Sequence, residues 1–459
     1  VAIGVAALLT ILACALLIVV VAADRPSALA ATTITHYFPG WMAGPLGGLW
    51  PSLTRSPNAL KAIVTGSIVA MYVSYLLSLR YAPRLGARYA IGAIVGVHAI
   101  AFLSPPFALT DIFNYVNYAR MEVVHHLNPY TTIPILEPHS DPSFALSNWH
   151  QLLSPYGPAF TLMTFAVVPL GVAGSFWALK ALLMGASLGT LALVWKSARL
   201  LDRDPVAAVV LVGLNPIVLV WGLMGDHNDA FMMLFVVLGF YLLLRARAAG
   251  ATGWHVGAGA AFATAVAVKA SGAILVPVVL AAVLRDRRAL LGVLGGMLAA
   301  AVVLGGASLI AFGFHIPDLS TQGRLVTSVS IPNLLGLALG QGGETELMRK
   351  LLELVLVGCV AACGAMAWRR REALTAAGWA SVALLVTLSW VLPWYVLWLL
   401  PLAALSGSPR LRKTALWLGV YLIVAWAPLT GNVFSAIGFH PEKTALGRLH
   451  QRYVKELLY

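Results

Sequence analysis

The chain is a succession of apolar runs, with positive charge gathered at alternate ends of them. About 17–25 apolar residues suffice to cross a bilayer as a helix. Stretches of that kind recur from Val1 to Phe434. Composition supports the same reading: 60% of residues are hydrophobic and only 10% are charged, whereas soluble domains carry roughly 25% charged residues. No soluble domain fits anywhere, and the longest polar stretch is the loop after Thr110. The expected fold class is therefore an all-α polytopic membrane protein, with one membrane domain over 1–434 and a polar, amphipathic tail over 435–459.

A net charge of +13 invites a nucleic-acid reading. The positions of the charges exclude it. They form short clusters: Arg80, Arg84 and Arg88; Lys196, Arg199 and Arg203; Arg245 and Arg247; Arg285, Arg287 and Arg288; Arg369, Arg370 and Arg371; Arg410, Arg412 and Lys413. Such clusters mark the cytoplasmic loops of membrane proteins, and no basic run is interleaved with aromatics as nucleic-acid binding requires. Cys14, Cys359 and Cys363 all lie in apolar runs, so neither a disulfide framework nor a zinc site is indicated. Val1 to Ala23 lacks a basic leading segment. It is expected to be a first transmembrane helix rather than a signal peptide, with the missing initiator Met reflecting a trimmed start.

The basic clusters fix a topology. Crossings are expected near 5–23, 60–80, 89–105, 175–197, 206–223, 230–246, 257–270, 272–285, 289–312, 351–368, 374–390, 394–407 and 413–430. That makes about thirteen helices, amino end inside and carboxyl end outside. Trp41 and Trp50 suit an external interface belt. Parity leaves room for only one crossing between Pro105 and Lys196. Residues 160–171 are therefore expected in the interface, within an external loop of about 106–174.

On this topology the chemically interesting groups collect at one end. They are Asp111 with Tyr115 one turn on; Asn128 and Tyr130 in LNPY; Tyr156 in SPYGP; Asp226, His227, Asn228 and Asp229 in GDHND; Lys269; Arg324 and Asn333; and Trp394 with Tyr395. Transporters place polar groups near the midplane, reachable from both sides. A one-sided collection suits an enzyme at the outer surface. Each feature has a plainer reading as well. Asp111 reads as a helix cap or a base; GDHND as a solvated loop, a metal site or a hydrogen-bonding pocket wall. Lys269 reads as a side chain reaching the interface or a phosphate partner, with Arg324 as second cation. His125, His126, His139 and His150 match no metal-binding spacing.

In the order DIFNYVNYAR, LNPY, PYGPAF, LNPIVLVWGLMGDHNDAFMM and AVAVKASGAIL, the chain resembles the polyprenol-phosphate-mannose-dependent alpha-1,6-mannosyltransferases of the GT-C glycosyltransferase superfamily. The resemblance covers roughly Asp111 to Pro277 and, more weakly, PWYVLWLLP. It implies a GT-C-like bundle with interfacial helices in an external loop. It implies Asp111 as catalytic base, His227, Asn228 and Asp229 as site residues, and Lys269 facing the donor phosphate. Asp226 stands where the family has a small residue, and Ala270-Ser271 where proline-alanine is common. The implied reaction is inverting transfer of a sugar, foremost mannose, from a polyprenyl-phosphate donor to a glycan or lipoglycan acceptor, in a bacterial plasma membrane with the site outside. One carboxylate base suffices for it, since a phosphate leaving group needs no strong acid. Cations aimed at the phosphate supply the electrostatic term. No cofactor is expected, and a divalent metal stays open. The rival readings are an arabinofuranosyl or other pentosyl transferase, and a lipid-linked-sugar flippase.

Overall fold

Capping residues set where several helices begin. Ser56, Asp204, Asp286, Ser330 and Ser408 each accept a hydrogen bond from a free N–H in the first turn that follows, and four of the five helices carry proline in that turn. Proline costs nothing there, because the first N–H groups have no partner within the helix. The computed structural model describes residues 1–24, 39–54, 56–107, 111–249, 251–370 and 372–458. Residues 25–38, Arg55, Ala108–Thr110, Gly250, Arg371 and Tyr459 lie outside the described residues.

All regular structure among the described residues is helical. α1 (Ala2–Asp24), the one-turn α2 (Gly40–Ala43), α3 (Pro57–Tyr81) and α4 (Ala87–Phe102) form the first group. α5 (Asp111–His125) and the short α6 (Pro158–Phe165) bracket an irregular loop. α7 (Gly171–Leu200), α8 (Pro205–Gly213), α9 (Asp229–Ala249), α10 (Thr252–Val268), α11 (Val276–Val283) and α12 (Arg287–Phe312) make the middle of the bundle. α13 (Ile331–Ala338), α14 (Glu346–Arg370), α15 (Ala373–Thr387), α16 (Leu400–Leu405), α17 (Pro409–Trp426), α18 (Thr430–Ala436) and α19 (Ala445–Leu458) complete it.

Six helices among the described residues are long and apolar enough to cross a membrane, or seven if α17 and α18, bent by 72°, are one broken span. Shorter apolar helices at Ala87–Phe102, Ala270–Val283, Ala373–Thr387 and Pro393–Leu405 occupy other segments expected to cross. Length and composition thus give six or seven spans; they do not establish thirteen. α6 alone is about 12 Å long at 1.5 Å per residue, well short of the hydrocarbon. It is set off from α7 by a turn through Pro169 and Gly171, whose φ of 71° favours glycine.

α10 packs between α9 and α12, and α1 packs on α3 and α4. α12 and α14 stand at the outside, presenting Leu298, Val302, Val303, Leu354 and Val357 as exposed apolar faces. These are surfaces for lipid rather than water.

The interruptions in the helices matter most for function. The chain breaks at Asn215–Pro216, runs through a π-helical stretch at Val218–Leu223, and turns at 224–228 before α9. It is extended at Lys269 (φ −153°, ψ 126°), between α10 and a 3-10 stretch Ala270–Leu275. It is irregular again from Leu388 to the 3-10 segment Pro393–Trp398. Irregular backbone at membrane depth is tolerated where it is buried in protein or lines a cavity, and these three breaks converge on one.

Candidate active site

The cavity has a volume of about 430 Å³. Its polar and aromatic lining is Asp111, Asn148, Tyr156, Asn228, Lys269, Trp394, Tyr395 and Trp398. The rest of its lining is largely apolar and includes Leu319, Leu325, Leu388, Trp390, Leu392 and two residues of α19, Val454 and Leu458. α19 is held there by Leu457, which packs with Leu152 and Leu325, and by the Gln151 N–H donating to the Leu457 carbonyl.

Asp111 is the first residue of α5, and its side chain is 17% exposed. His227 Nδ1 lies 3.1 Å from its Oδ2. The other ring nitrogen, Nε2, is buried with no hydrogen-bond partner within the protein. It faces Gly225, where a Cβ would sit 2.7 Å from Nε2 and 2.1 Å from the Trp221 carbonyl oxygen. An ionised carboxylate can only accept, so in this pair Nδ1 is the donor and His227 hydrogen-bonds to Asp111. Trp394 fixes the imidazole plane, stacking on it at 3.4 Å between centroids and 7°. Asn114 approaches the other carboxylate oxygen at 3.5 Å, and its amide bonds Asn148 at 2.7 Å.

Asn228 is anchored by its N–H, which donates to the Tyr115 hydroxyl at 3.1 Å. Its Nδ2 and the Trp394 Nε1 are buried without partners, although both residues line the cavity. Burial first, and the Asp111 charge second, push the Tyr115 and Tyr156 phenols well above their ordinary range. Neither supplies a base. Asp111 is the one carboxylate in the described lining.

Asp229 sits behind the wall. It receives two hydrogen bonds from Lys269 Nζ, at 2.9 and 2.8 Å, and one from Trp398 Nε1 at 2.5 Å. The Lys269 ammonium also lies over the rings of Tyr395 (5.0 Å) and Trp398 (5.5 Å), which stack on each other. The SPYGP turn completes the wall. The Gly157 N–H bonds the Val268 carbonyl at 3.2 Å, and a Cβ on Gly157 would strike the Ala267 carbonyl oxygen at 2.1 Å. Only glycine lets Tyr156 come this close to Lys269.

Residues 3–285 match the family model described as alpha-(1->6)-mannopyranosyltransferase, N-terminal domain, and residues 326–446 match that of the MptB C-terminal domain. The chain belongs to the alpha-(1->6)-mannopyranosyltransferase family. It is thus a membrane glycosyltransferase, of the mannosyltransferase class. Alpha-(1->6)-mannopyranosyltransferase A of Mycobacterium tuberculosis is 28% identical over 360 residues, 71% of this chain and 67% of the relative. A second alpha-(1->6)-mannopyranosyltransferase of that organism is 28% identical over 386 residues, 68% of this chain and 65% of the relative. A probable alpha-(1->6)-mannopyranosyltransferase of Mycolicibacterium smegmatis is 25% identical over 201 residues, 42% of this chain and 36% of the relative. The chain therefore spans about two thirds or less of these relatives' lengths. No solved structure matches it significantly.

Not every expected site residue of this mannosyltransferase faces the cavity. Asp111, Tyr156, Asn228, Lys269, Trp394 and Tyr395 line it, with Tyr115, His227 and Asp229 directly behind. Asp226 turns away. Its backbone is left-handed (φ 58°), and its carboxylate pairs with Lys180 at 3.0 and 3.1 Å, both side chains fully buried. Asn128 and Tyr130 fasten the loop instead: the Asn128 amide donates to the Phe312 carbonyl, and the Tyr130 hydroxyl to the Tyr156 carbonyl. Asn333 bonds the Ser328 carbonyl and the Glu344 N–H. Arg324 is exposed, and its neighbours Gln322, Gly323 and Leu325 are the ones that line the cavity. Among the described residues, no group of three or more His, Cys, Asp or Glu side chains is placed to hold a metal.

Lys180, Trp398, Asn148 and α19 are additions that sequence reasoning missed. Lys180 had a signal: it is a lone lysine inside the apolar run of α7, and an ionisable residue there implies a partner. Trp398 lies one helical turn beyond Trp394 in a segment already singled out. Asn148 and α19 gave none, because only tertiary packing brings them here.

Proposed function

We propose that this mannosyltransferase moves mannose from a polyprenyl-phosphate donor to a glycan or lipoglycan hydroxyl, with inversion, in a cavity opening to the outer face of the membrane. The observation that carries this reading is the pairing within one cavity of a partly exposed carboxylate, Asp111, with a partly exposed ammonium, Lys269, beside an apolar lobe. Asp111 takes the acceptor hydroxyl proton as the acceptor oxygen attacks C1 of the sugar. The bond from C1 to the phosphate oxygen breaks, and the leaving phosphate carries the electron pair away. His227 donates to Asp111 and holds its free oxygen toward the acceptor. Positioned bases of this kind contribute about 10²–10⁴-fold.

Lys269 faces the leaving phosphate. Asp229 keeps it aimed, which matches the need for donors arranged before charge develops. Arg324, outside the lining, is not needed for that step. The unpartnered Asn228 Nδ2 and Trp394 Nε1 suit sugar hydroxyls, since a buried donor left unpaired is costly. The apolar lobe under α19 suits the first prenyl units. Attack opposite the phosphate turns a beta-linked donor into an alpha product.

The test is purified protein in nanodiscs with polyprenyl-phosphate mannose and short alpha-mannoside acceptors, followed by linkage analysis of the product. A new alpha-1,6-linked mannose supports the proposal. Transfer of pentose but not mannose would overturn the sugar, and movement of donor across a bilayer without any covalent product would overturn the reaction.

A further inference from the structure

Two adjoining cavities open at the other end of the bundle. α9 begins at Asp229, behind the catalytic cavity, and carries Arg247 near its far end, about 27 Å away at 1.5 Å per residue. Arg247 lines a space of about 510 Å³, and a second space of about 580 Å³ adjoins it. Both are lined by Arg203, Ser406 and Gly407.

Arg203 is half-buried, and its guanidinium donates to the Leu405 carbonyl at the end of α16. It also lies against Gly407, where a Cβ would come within 3.1 Å of its terminal nitrogen. Arg412 and Lys413 stand on the same cavity rim, exposed. Two acids stand against these cations, Asp204 here, which caps the Val206 and Ala207 N–H groups of α8, and Glu372 in the adjoining space, where Arg247 faces it across the same lining. With Arg203, Arg412 and Lys413 against Asp204, the rim is a cationic hollow. The rest of that cavity's lining is largely apolar: Leu79, Leu211 and Leu416, with Ala207, Ala208 and Ala404.

A free anion would use the rim and leave that apolar wall bare. A molecule with a phosphate joined to hydrocarbon would use both. We infer that this cleft binds an anionic phospholipid, its phosphate on Arg203, Arg412 and Lys413 and the start of its chains along Leu79, Leu211 and Leu416. The lipid belongs to the leaflet opposite the catalytic cavity. The cleft is joined to that cavity by one short stretch: Pro393–Trp398 carries Trp394, Tyr395 and Trp398, and α16 runs from it to Leu405.

The experiment is native mass spectrometry of delipidated full-length protein titrated with phosphatidylglycerol, with phosphatidylcholine of the same chains, and with phosphatidylglycerol in the presence of millimolar inorganic phosphate. The expected result is preferential retention of phosphatidylglycerol that inorganic phosphate does not displace. Arg412→Gln with Lys413→Gln should weaken that retention by about tenfold or more, as expected for two cations near an anionic headgroup. Both side chains are exposed and Arg203 keeps its bond to Leu405, so this variant folds. Arg287→Gln with Arg288→Gln, an exposed basic pair outside the cleft, should leave retention unchanged. Equal retention of both lipids, equal loss in the control variant, or displacement by inorganic phosphate would each overturn the assignment.

Discussion

Two acid–lysine pairs stand three residues apart in GDHND and behave differently. Asp226 meets Lys180 with both side chains at 0% exposure; Asp229 meets Lys269 with the lysine at 22%. The first pair is sealed. Lys180 also donates to the Ser104 carbonyl at 2.8 Å, and Phe107 donates to the Met224 carbonyl close by. It therefore ties α7 both to the strap that leads toward Asp111 and to the turn that carries His227. The second pair opens on the cavity and has aromatic rings around its ammonium. Identical chemistry is sealed in the framework in one place and set at the cavity wall in the other, and what separates them is access to the cavity. Breaking a buried pair costs more than forming it gains, because the remaining charge is stranded; at the second pair Asp229 keeps its hydrogen bond from Trp398, and the space left by Lys269 opens on the cavity.

Lys180→Met should have the largest effect on the fold. Removing one partner of a buried pair costs about 3–5 kcal/mol, so thermal unfolding in detergent should show a severely destabilised protein. Adding Asp226→Asn should restore much of that loss. A Lys180→Met protein as stable as wild type would mean that the pair is not a framework element. Lys269→Met should do the reverse. Its turnover should fall by about 10²-fold, as when a single transition-state donor is lost, while its unfolding temperature shifts far less. Equal losses of stability in the two variants would erase the distinction between the pairs.

Two further buried acids, both in the loop between α5 and α6, extend the contrast: Asp141 is well supplied with hydrogen bonds and Glu137 is not. Asp141 is buried in the same loop, and burial alone would raise it. Hydrogen bonds from Arg120, Ser143 and His125 outweigh that and hold its carboxyl well below the usual range. Glu137 lacks such donors: both its oxygens and the neighbouring Asn117 amide nitrogen are buried without partners. Burial, offset only in part by Asn117, lifts its carboxyl to about 8. The folded state thus holds a proton that the unfolded chain releases near the ordinary 4.5, and stability must fall as pH rises through that window. Glu137→Gln should flatten this decline, gaining about 1–3 kcal/mol at pH 8, the usual cost of an unsatisfied buried polar group. Unfolding curves from pH 5 to 8 measure it, and parallel curves for variant and wild type would contradict it. The smallest effect belongs to Arg324→Gln: exposed and outside the lining, it should change kcat/KM by no more than about twofold, as surface substitutions do. A large loss of donor use would return Arg324 to the site.

These differences also show how much the sequence could carry. Apolar run length and basic clusters located α1, α3, α12 and α14, because those signals are local. GDHND stood out because charge beside hydrocarbon needs a reason. That neither of its acids faces the cavity was not legible: Asp226 is turned away by a left-handed backbone and a lysine on another helix, and Asp229 stands behind Lys269. Asn128, Tyr130 and Asn333 resembled site residues for a similar cause: polar groups in turns near a site hold those turns as often as they meet a ligand. α19 read as an external tail, and nothing local to it says that Val454 and Leu458 wall the cavity.

The proposed mechanism turns on Asp111, held by His227, as the base. Asp111→Asn keeps the size of the side chain and can still accept from His227 Nδ1, but it cannot take a proton. The decisive measurement is the single-turnover rate of mannose transfer in this variant beside Asp229→Asn, with thermal stability recorded for both. The account predicts a fall of about 10²–10⁴-fold for Asp111→Asn at near-normal stability and donor affinity. Near-normal transfer by Asp111→Asn, with transfer abolished in an intact Asp229→Asn protein, would contradict it and move the base into GDHND.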